Sequence, residues 1–134
     1  MDPAQMKLAI VVGSVRQGRL GPTVANWFAS QARQHEGFEV DVIDLAEFDF
    51  PASMAASPDV DDFARRIDVA DAIVIVTPEY NHGYPGPLKM AIDSIGKPWR
   101  AKPVALVSYG GVSGGAWVFI MLVWKQVLPI FSGL

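Results

Sequence analysis

The sequence predicts an α/β fold, a doubly wound parallel sheet with helices on both faces. Short apolar runs rich in β-branched residues alternate with segments of helical periodicity. The runs lack the in-out alternation of a half-solvated sheet, so they read as strands covered on both sides. In such sheets ligands bind beyond the carboxyl ends of the strands, at the switch point of strand order. The loops after the first, third and fourth strands are therefore the ones to read.

Residues 7–13, Lys-Leu-Ala-Ile-Val-Val-Gly, form the first strand. Residues 21–35 read as a helix: Pro22 suits its first turn, Val24, Trp27, Phe28 and Ala32 share a face, and Gly37 ends it. Residues 38–45 intersperse Val40, Val42 and Ile43 with acids, giving a second strand. Residues 47–57 form a loop. Ser57-Pro58 then starts a helix, as a cap residue followed by proline, with Asp59, Asp61 and Asp62 at the positive end of its dipole. Its inward face is Val60, Phe63, Ala64 and Ile67. Residues 72–77 are a buried strand, 87–95 a short helix and 103–109 the fourth strand.

Composition narrows the function. The chain has 134 residues, 51% of them hydrophobic, a net charge of −3 and no cysteine. The length fits one domain with one core, and the apolar fraction excludes a disordered tail. Without cysteine there is no disulfide, thiolate–zinc site, iron–sulfur cluster or thiol nucleophile. His35 and His82 stand in unrelated contexts, which disfavours a histidine metal site. The acidic balance disfavours nucleic acid as a partner. Nothing at the start reads as a secretory signal, so the expected compartment is the cytoplasm.

The first loop, Gly13-Ser-Val-Arg-Gln-Gly-Arg-Leu-Gly-Pro-Thr23, joins a buried strand to a helix N-terminus. Its glycines let the backbone approach an anion, the helix start offers free N–H groups, and Ser14, Arg16 and Arg19 add donors. It reads as a phosphate cradle, with a basic, solvated βα turn as the plainer alternative, but as neither a Walker A loop, since Arg19-Leu20 replaces Lys-Ser/Thr, nor a dinucleotide fingerprint, since residue 15 is Val. The second loop, residues 77–87, packs three prolines and two glycines into eleven residues and is fixed rather than floppy. Its backbone can read the edge of a flat heteroaromatic ring, and Tyr80 and Tyr84 can stack; singly, each tyrosine also fits a surface or interface role. The third, Ser108-Tyr-Gly-Gly-Val-Ser-Gly-Gly115, has four glycines, more than a plain turn requires.

These loops resemble the NADPH-dependent FMN reductases of the flavodoxin-like superfamily, which include quinone, azo-dye and chromate reductases. The resemblance rests on Gly13-Ser-x-Arg16, on Pro78-Glu-Tyr-Asn-His-Gly-Tyr-Pro-Gly-Pro-Leu-Lys89 with Ala91-Ile-Asp93, and on Lys102-Pro-Val with Ser108-Tyr-Gly-Gly111. It spans residues 7–115, and the middle motif is the most specific. It implies a single flavodoxin-like domain over residues 1–134 with strand order 2-1-3-4(-5). It implies that Ser14, Arg16 and the turn through Arg19, Leu20, Gly21, Pro22 and Thr23 hold the FMN phosphate. Pro78, Glu79, Tyr80 and Asn81 would line the isoalloxazine ring, largely through backbone groups, and Ser108, Tyr109, Gly110 and Gly111 would border its other side. NADPH or NADH would be the reductant, and a quinone, azo dye, metal oxyanion or free flavin the small-molecule acceptor, in ping-pong order. No catalytic side chain is required, because the cofactor carries the chemistry. Family members are dimers or tetramers, so a homodimer or homotetramer is expected, with the flavin near a subunit interface. Many members have Ser where Arg19 stands and Asn where Met90 stands. His82 reads as a loop histidine rather than a proton donor, the Glu79 side chain as facing solvent or a partner subunit, and Lys89–Asp93 as a surface ion pair.

The segment 116–134 departs from the family. It carries one charge, Lys125, in 19 residues. Pro129 leaves too few helical residues to span a bilayer. A helix apolar on all sides should be buried on all sides. Three readings follow: docking against a partner subunit over the bare edge of the fourth strand, lying on a membrane surface without the usual basic face, or a frame altered after Gly115. The favoured expectation is an altered or truncated tail that, if folded, is buried in a subunit interface, in a sheet lacking the fifth strand and last helix. The alternative function is a non-catalytic flavodoxin-like interaction module or a truncated inactive paralogue. A receiver-type domain is disfavoured by the missing acidic cluster after the first strand.

Overall fold

The computed structural model describes residues 5–122. Strands β1 (Met6–Val12), β2 (Phe38–Asp44), β3 (Ala72–Pro78) and β4 (Val104–Tyr109) alternate with helices α1 (Gly21–Ala32), α2 (Pro58–Val69), α3 (Gly86–Ser94) and α4 (Ala116–Leu122). All pairings are parallel, in the order β2-β1-β3-β4. This is the expected flavodoxin-like architecture, and among the described residues β4 is an edge.

The pleat sends alternate side chains of each strand to opposite faces. On one face Leu8, Ile10, Val12, Val74 and Val76 meet Ala25, Ala29 and Ala32 of α1. On the other, Ala9, Val11, Ile73 and Ile75 meet Phe63 and Ile67 of α2, Leu88 and Ile92 of α3, Trp99, and Val118 and Leu122 of α4. The two central strands are thus buried on both sides, as their composition requires.

The start of α2 forms as its residues dictate: the Ser57 hydroxyl accepts from the Val60 N–H at 3.2 Å, and Pro58 occupies the first turn. Its other end is closed by a residue from a distant segment. The Lys102 ammonium donates to the carbonyls of Ile67, Asp68 and Ala70 at 2.7, 2.6 and 2.7 Å. Burial pushes its pKa down, against the pull of Asp68 and Asp71. The cation therefore satisfies carbonyls the helix end leaves open. Lys102→Met should cost about 1–2 kcal/mol, since the stem packing survives and only the partly solvated hydrogen bonds go. Urea unfolding reads it, and an unchanged midpoint would refute the capping role.

Two expectations need correction. Helix α1 ends at Ala32, and its inward face is the small stripe Ala25, Ala29, Ala32, with Val24 and Phe28 at the margin. Trp27 is 61% exposed. The alanine stripe faces the sheet and turns the indole outward. Gly37 does not cap it; its carbonyl accepts from the Met6 N–H and sets the start of β1. Within the single chain, Val118 and Leu122 of helix α4 enter the core, while Trp117, Phe119 and Ile120 are 48–52% exposed, an apolar face that the chain itself does not cover. The expectations for Lys125 and Pro129 fall outside the described residues. Lys89 and Asp93 do pair, at 2.6 Å.

Candidate functional site

Strand register gathers the three loops. Val12 lies opposite Asp44 on one side and Val76 on the other, and Pro78 lies opposite Tyr109. The carboxyl ends of β1, β3 and β4 therefore meet where the strand order reverses, between β1 and β3. A cleft of about 230 Å³ opens there, lined by Arg16, Gln17, Gly18, Arg19, Leu20, Pro78, Tyr80 and Tyr109.

The first loop has its donors free. Gly13 is tied to β3 by its N–H on the Val76 carbonyl, at 2.8 Å. Beyond it, the N–H groups of residues 15–18 and 20 meet no protein acceptor among the described residues. Leu20, at the start of α1, supplies no side-chain cap, and Pro22 and Thr23 form the first turn. The Ser14 and Tyr109 hydroxyls are neighbours, both buried, and neither makes a hydrogen bond of good geometry. Burial pushes the Tyr109 phenol up, and the neighbouring Ser14 hydroxyl opposes that shift. Both lie against Gly21, where an added Cβ would stand 2.2 Å from Ser14 Oγ and 3.2 Å from the Tyr109 oxygen. Buried donors without acceptors are rare and mark a place for an acceptor-rich group. A phosphate monoester is such a group, and a helix N-terminus suits its charge. The residues present fit the phosphate end of FMN.

The two arginines differ. The Arg16 guanidinium sits 5.2 Å from the centroid of the Tyr80 ring, which joins the first and second loops. Arg19 turns the other way. It makes a two-pronged bond to the Asp44 carboxylate, at 2.6 and 2.7 Å, and donates to the Ser14 carbonyl at 2.5 Å.

In the second loop, Tyr80 and Gly83 exchange backbone hydrogen bonds at 2.9 and 3.0 Å. Between them Asn81 (φ 49°) and His82 (φ 61°) are both left-handed, the arrangement of a tight two-residue hairpin turn. Asparagine tolerates that region; histidine there stores strain, which concentrates at functional loops. Asn81 thus stands at the exposed tip. His82 is exposed and packs edge-on against Trp117, with ring centroids 5.9 Å apart.

Glu79 corrects the expectation for its side chain, which is only 7% exposed. Its carboxylate accepts from the Ser113 hydroxyl and, at 3.2 Å, from the Trp117 N–H at the first turn of α4. Its own N–H donates to the Tyr109 carbonyl at 2.8 Å. Glu79 therefore braces the third loop rather than facing outward. Gly110 packs against it, and an added Cβ would lie 3.0 Å from Glu79 Cβ; Gly111 is open on all sides. Ser108 continues the β3–β4 ladder opposite Thr77.

Asp44 and Ser113 escaped the sequence reading. Asp44 ends β2, and the order 2-1-3-4 alone places that end beside the first loop. That signal was present. Nothing local marks Ser113 as the partner of Glu79.

The model of the NADPH-dependent FMN reductase family matches residues 6–131. The chain belongs to this family. It is 38% identical over 122 residues to an NAD(P)H-dependent FMN reductase of Schizosaccharomyces pombe, covering 81% of this chain and 60% of that protein. It is 35% identical over 120 residues to an FMN-dependent NADPH-azoreductase of Staphylococcus haemolyticus, covering 82% and 62%. Among solved structures, FerB, a flavoenzyme NAD(P)H:(acceptor) oxidoreductase of Paracoccus denitrificans, matches with a TM-score of 0.79 and 27% identity, over 94% of this chain and 72% of that one. The chain thus spans about three fifths of the length of these curated relatives. The family resemblance read from residues 7–115 is confirmed by these matches.

Proposed function

We propose that the chain is an FMN-dependent NAD(P)H oxidoreductase that reduces a small acceptor such as a quinone, azo dye, metal oxyanion or free flavin in ping-pong order. The observation that carries this reading is the set of unused donors at the switch point: the N–H groups of residues 15–18 and 20 and the buried Ser14 and Tyr109 hydroxyls. Relatives named as 2-hydroxy-1,4-benzoquinone reductase in Burkholderia and as FMN-dependent NADPH-azoreductase in Staphylococcus haemolyticus support the acceptor class.

Bound FMN would supply two-electron chemistry between NAD(P)H and the acceptor. The chain's own residues have four tasks. Ser14, Thr23 and the loop N–H groups hold the phosphate, with Arg16 adding positive charge. Pro78, Tyr80 and the turn through Asn81 fix one border of the ring. Ser108, Tyr109, Gly110 and Gly111 form the other, where glycines permit close backbone approach. Glu79 holds the two ring loops in register through Ser113 and Trp117. No side chain is assigned proton transfer. A homodimer or homotetramer in the cytoplasm is the accompanying proposal. Among the described residues no helix is long and apolar enough to cross a membrane.

The test is flavin retention. Protein purified with FMN and desalted should keep flavin absorption, and NADPH should bleach it anaerobically. Ser14→Ala should weaken FMN about tenfold, one hydrogen bond to a charged group, and leave riboflavin binding within about twofold. A folded protein that retains no flavin would favour the interaction module instead.

A further inference from the structure

Arg19 stands in the phosphate loop, yet its guanidinium is already taken. Both prongs rest on Asp44, at 2.6 and 2.7 Å, and one nitrogen also holds the Ser14 carbonyl at 2.5 Å. Side-chain exposures of 17% for Arg19 and 19% for Asp44 place the pair under the loop rather than in solvent. Asp44 is itself fixed: it ends β2 opposite Val12, and its carboxylate caps the following 3-10 turn through the Ala46 N–H at 3.1 Å. The pair therefore bolts the loop to the sheet at the residue whose hydroxyl is the buried, unpartnered donor.

We propose that Arg19 is a positioning residue. Through Asp44 it holds Ser14 and the N–H groups of residues 15–18 and 20 ready for a phosphate, and it is not itself a phosphate ligand. This rests on the FMN reading above. A two-pronged guanidinium–carboxylate pair has fixed geometry, and a loop fixed before binding loses less entropy on binding. To touch the phosphate directly, Arg19 would have to leave Asp44, stripping a partly buried carboxylate of its cation. Arg16, which among the described residues meets only the face of Tyr80, keeps its charge available to the loop.

The two roles predict opposite results for Asp44→Asn. This variant keeps an oxygen to cap the Ala46 N–H and removes the charge that anchors Arg19. If Arg19 positions the loop, Asp44→Asn and Arg19→Ala should each weaken FMN about tenfold, and the double variant should be no worse than either single one. Riboflavin, which lacks the phosphate, should bind all variants within about twofold, which a general loss of structure would not allow. Arg19→Lys should rescue only partly, because an ammonium cannot reproduce the fork. Affinities would be measured by quenching of flavin fluorescence in the folded apoprotein, checked by circular dichroism. If Asp44→Asn binds FMN as tightly as the parent or more so while Arg19→Ala is weakened, Arg19 is a direct ligand and the proposal falls with the FMN reading intact. If the parent protein binds neither flavin, both fall.

Discussion

Replacing Gly115 by alanine should destabilise the fold by roughly 3–4 kcal/mol and abolish flavin retention. Gly115 sits at φ +90°, outside even the left-handed helical well that L residues visit. An added Cβ would lie 2.7 Å from Ser108 C and Tyr109 N and 2.8 Å from Ser108 Cβ. Those are atoms of strand β4, hydrogen-bonded into the sheet, and they cannot rotate aside. The loop would have to lift. Ser113 would then leave the Glu79 carboxylate, and the first turn of α4 would shift with the Trp117 N–H. The neighbouring Gly114 is an internal control. It has φ +61°, but nothing lies within 4 Å of its added Cβ. Gly114→Ala should cost only about 1 kcal/mol, the backbone penalty alone. Urea unfolding of the two variants side by side decides the matter; equal losses would mean that the contact with β4 is not the constraint.

Phe63→Ala should cost about 3–5 kcal/mol, a large share of the roughly 5–15 kcal/mol that holds a domain together. Phe63 is fully buried on α2. Its ring centroid lies 5.1 Å from Phe50, 5.7 Å from Phe48 and 5.8 Å from Trp99, each approached edge to face. Truncation would leave a cavity bounded by three rings that the sheet, the 48–50 segment and the turn at Trp99 hold apart, so the site cannot collapse cheaply. The comparison is Phe119→Ala on α4, where the ring is 48% exposed and the loss should stay near 1 kcal/mol or less. A Phe63→Ala protein that melts within a few degrees of the parent would show that the aromatic cluster repacks.

Much of this protein is set by local sequence. Runs such as Leu8–Val12 and Ile73–Val76 read as strands buried on both faces, because they are short, apolar throughout and rich in β-branched residues. Ser57-Pro58 followed by acids opens a helix, since a hydroxyl cap accepts from one first-turn N–H and proline removes another. The three site loops declare themselves by glycine and proline content, and parallel topology sends them to one edge. What the sequence left open depends on distances that no local pattern encodes. Trp27 shares a helical stripe with Val24 and Phe28, but the rotation of α1 on the sheet puts Ala25, Ala29 and Ala32 beneath it and leaves the indole outside. Arg19 and Asp44 are 25 residues apart and meet because β1 and β2 pair in the register that sets Val12 against Asp44. Glu79 reads as a surface acid until β4 brings Ser113 and Trp117 across to it. Local sequence thus determined which loops could hold an anion, through backbone freedom and side-chain chemistry. Tertiary structure decided which charges remain available to that anion, because strand register alone determines which arginine has already found its carboxylate.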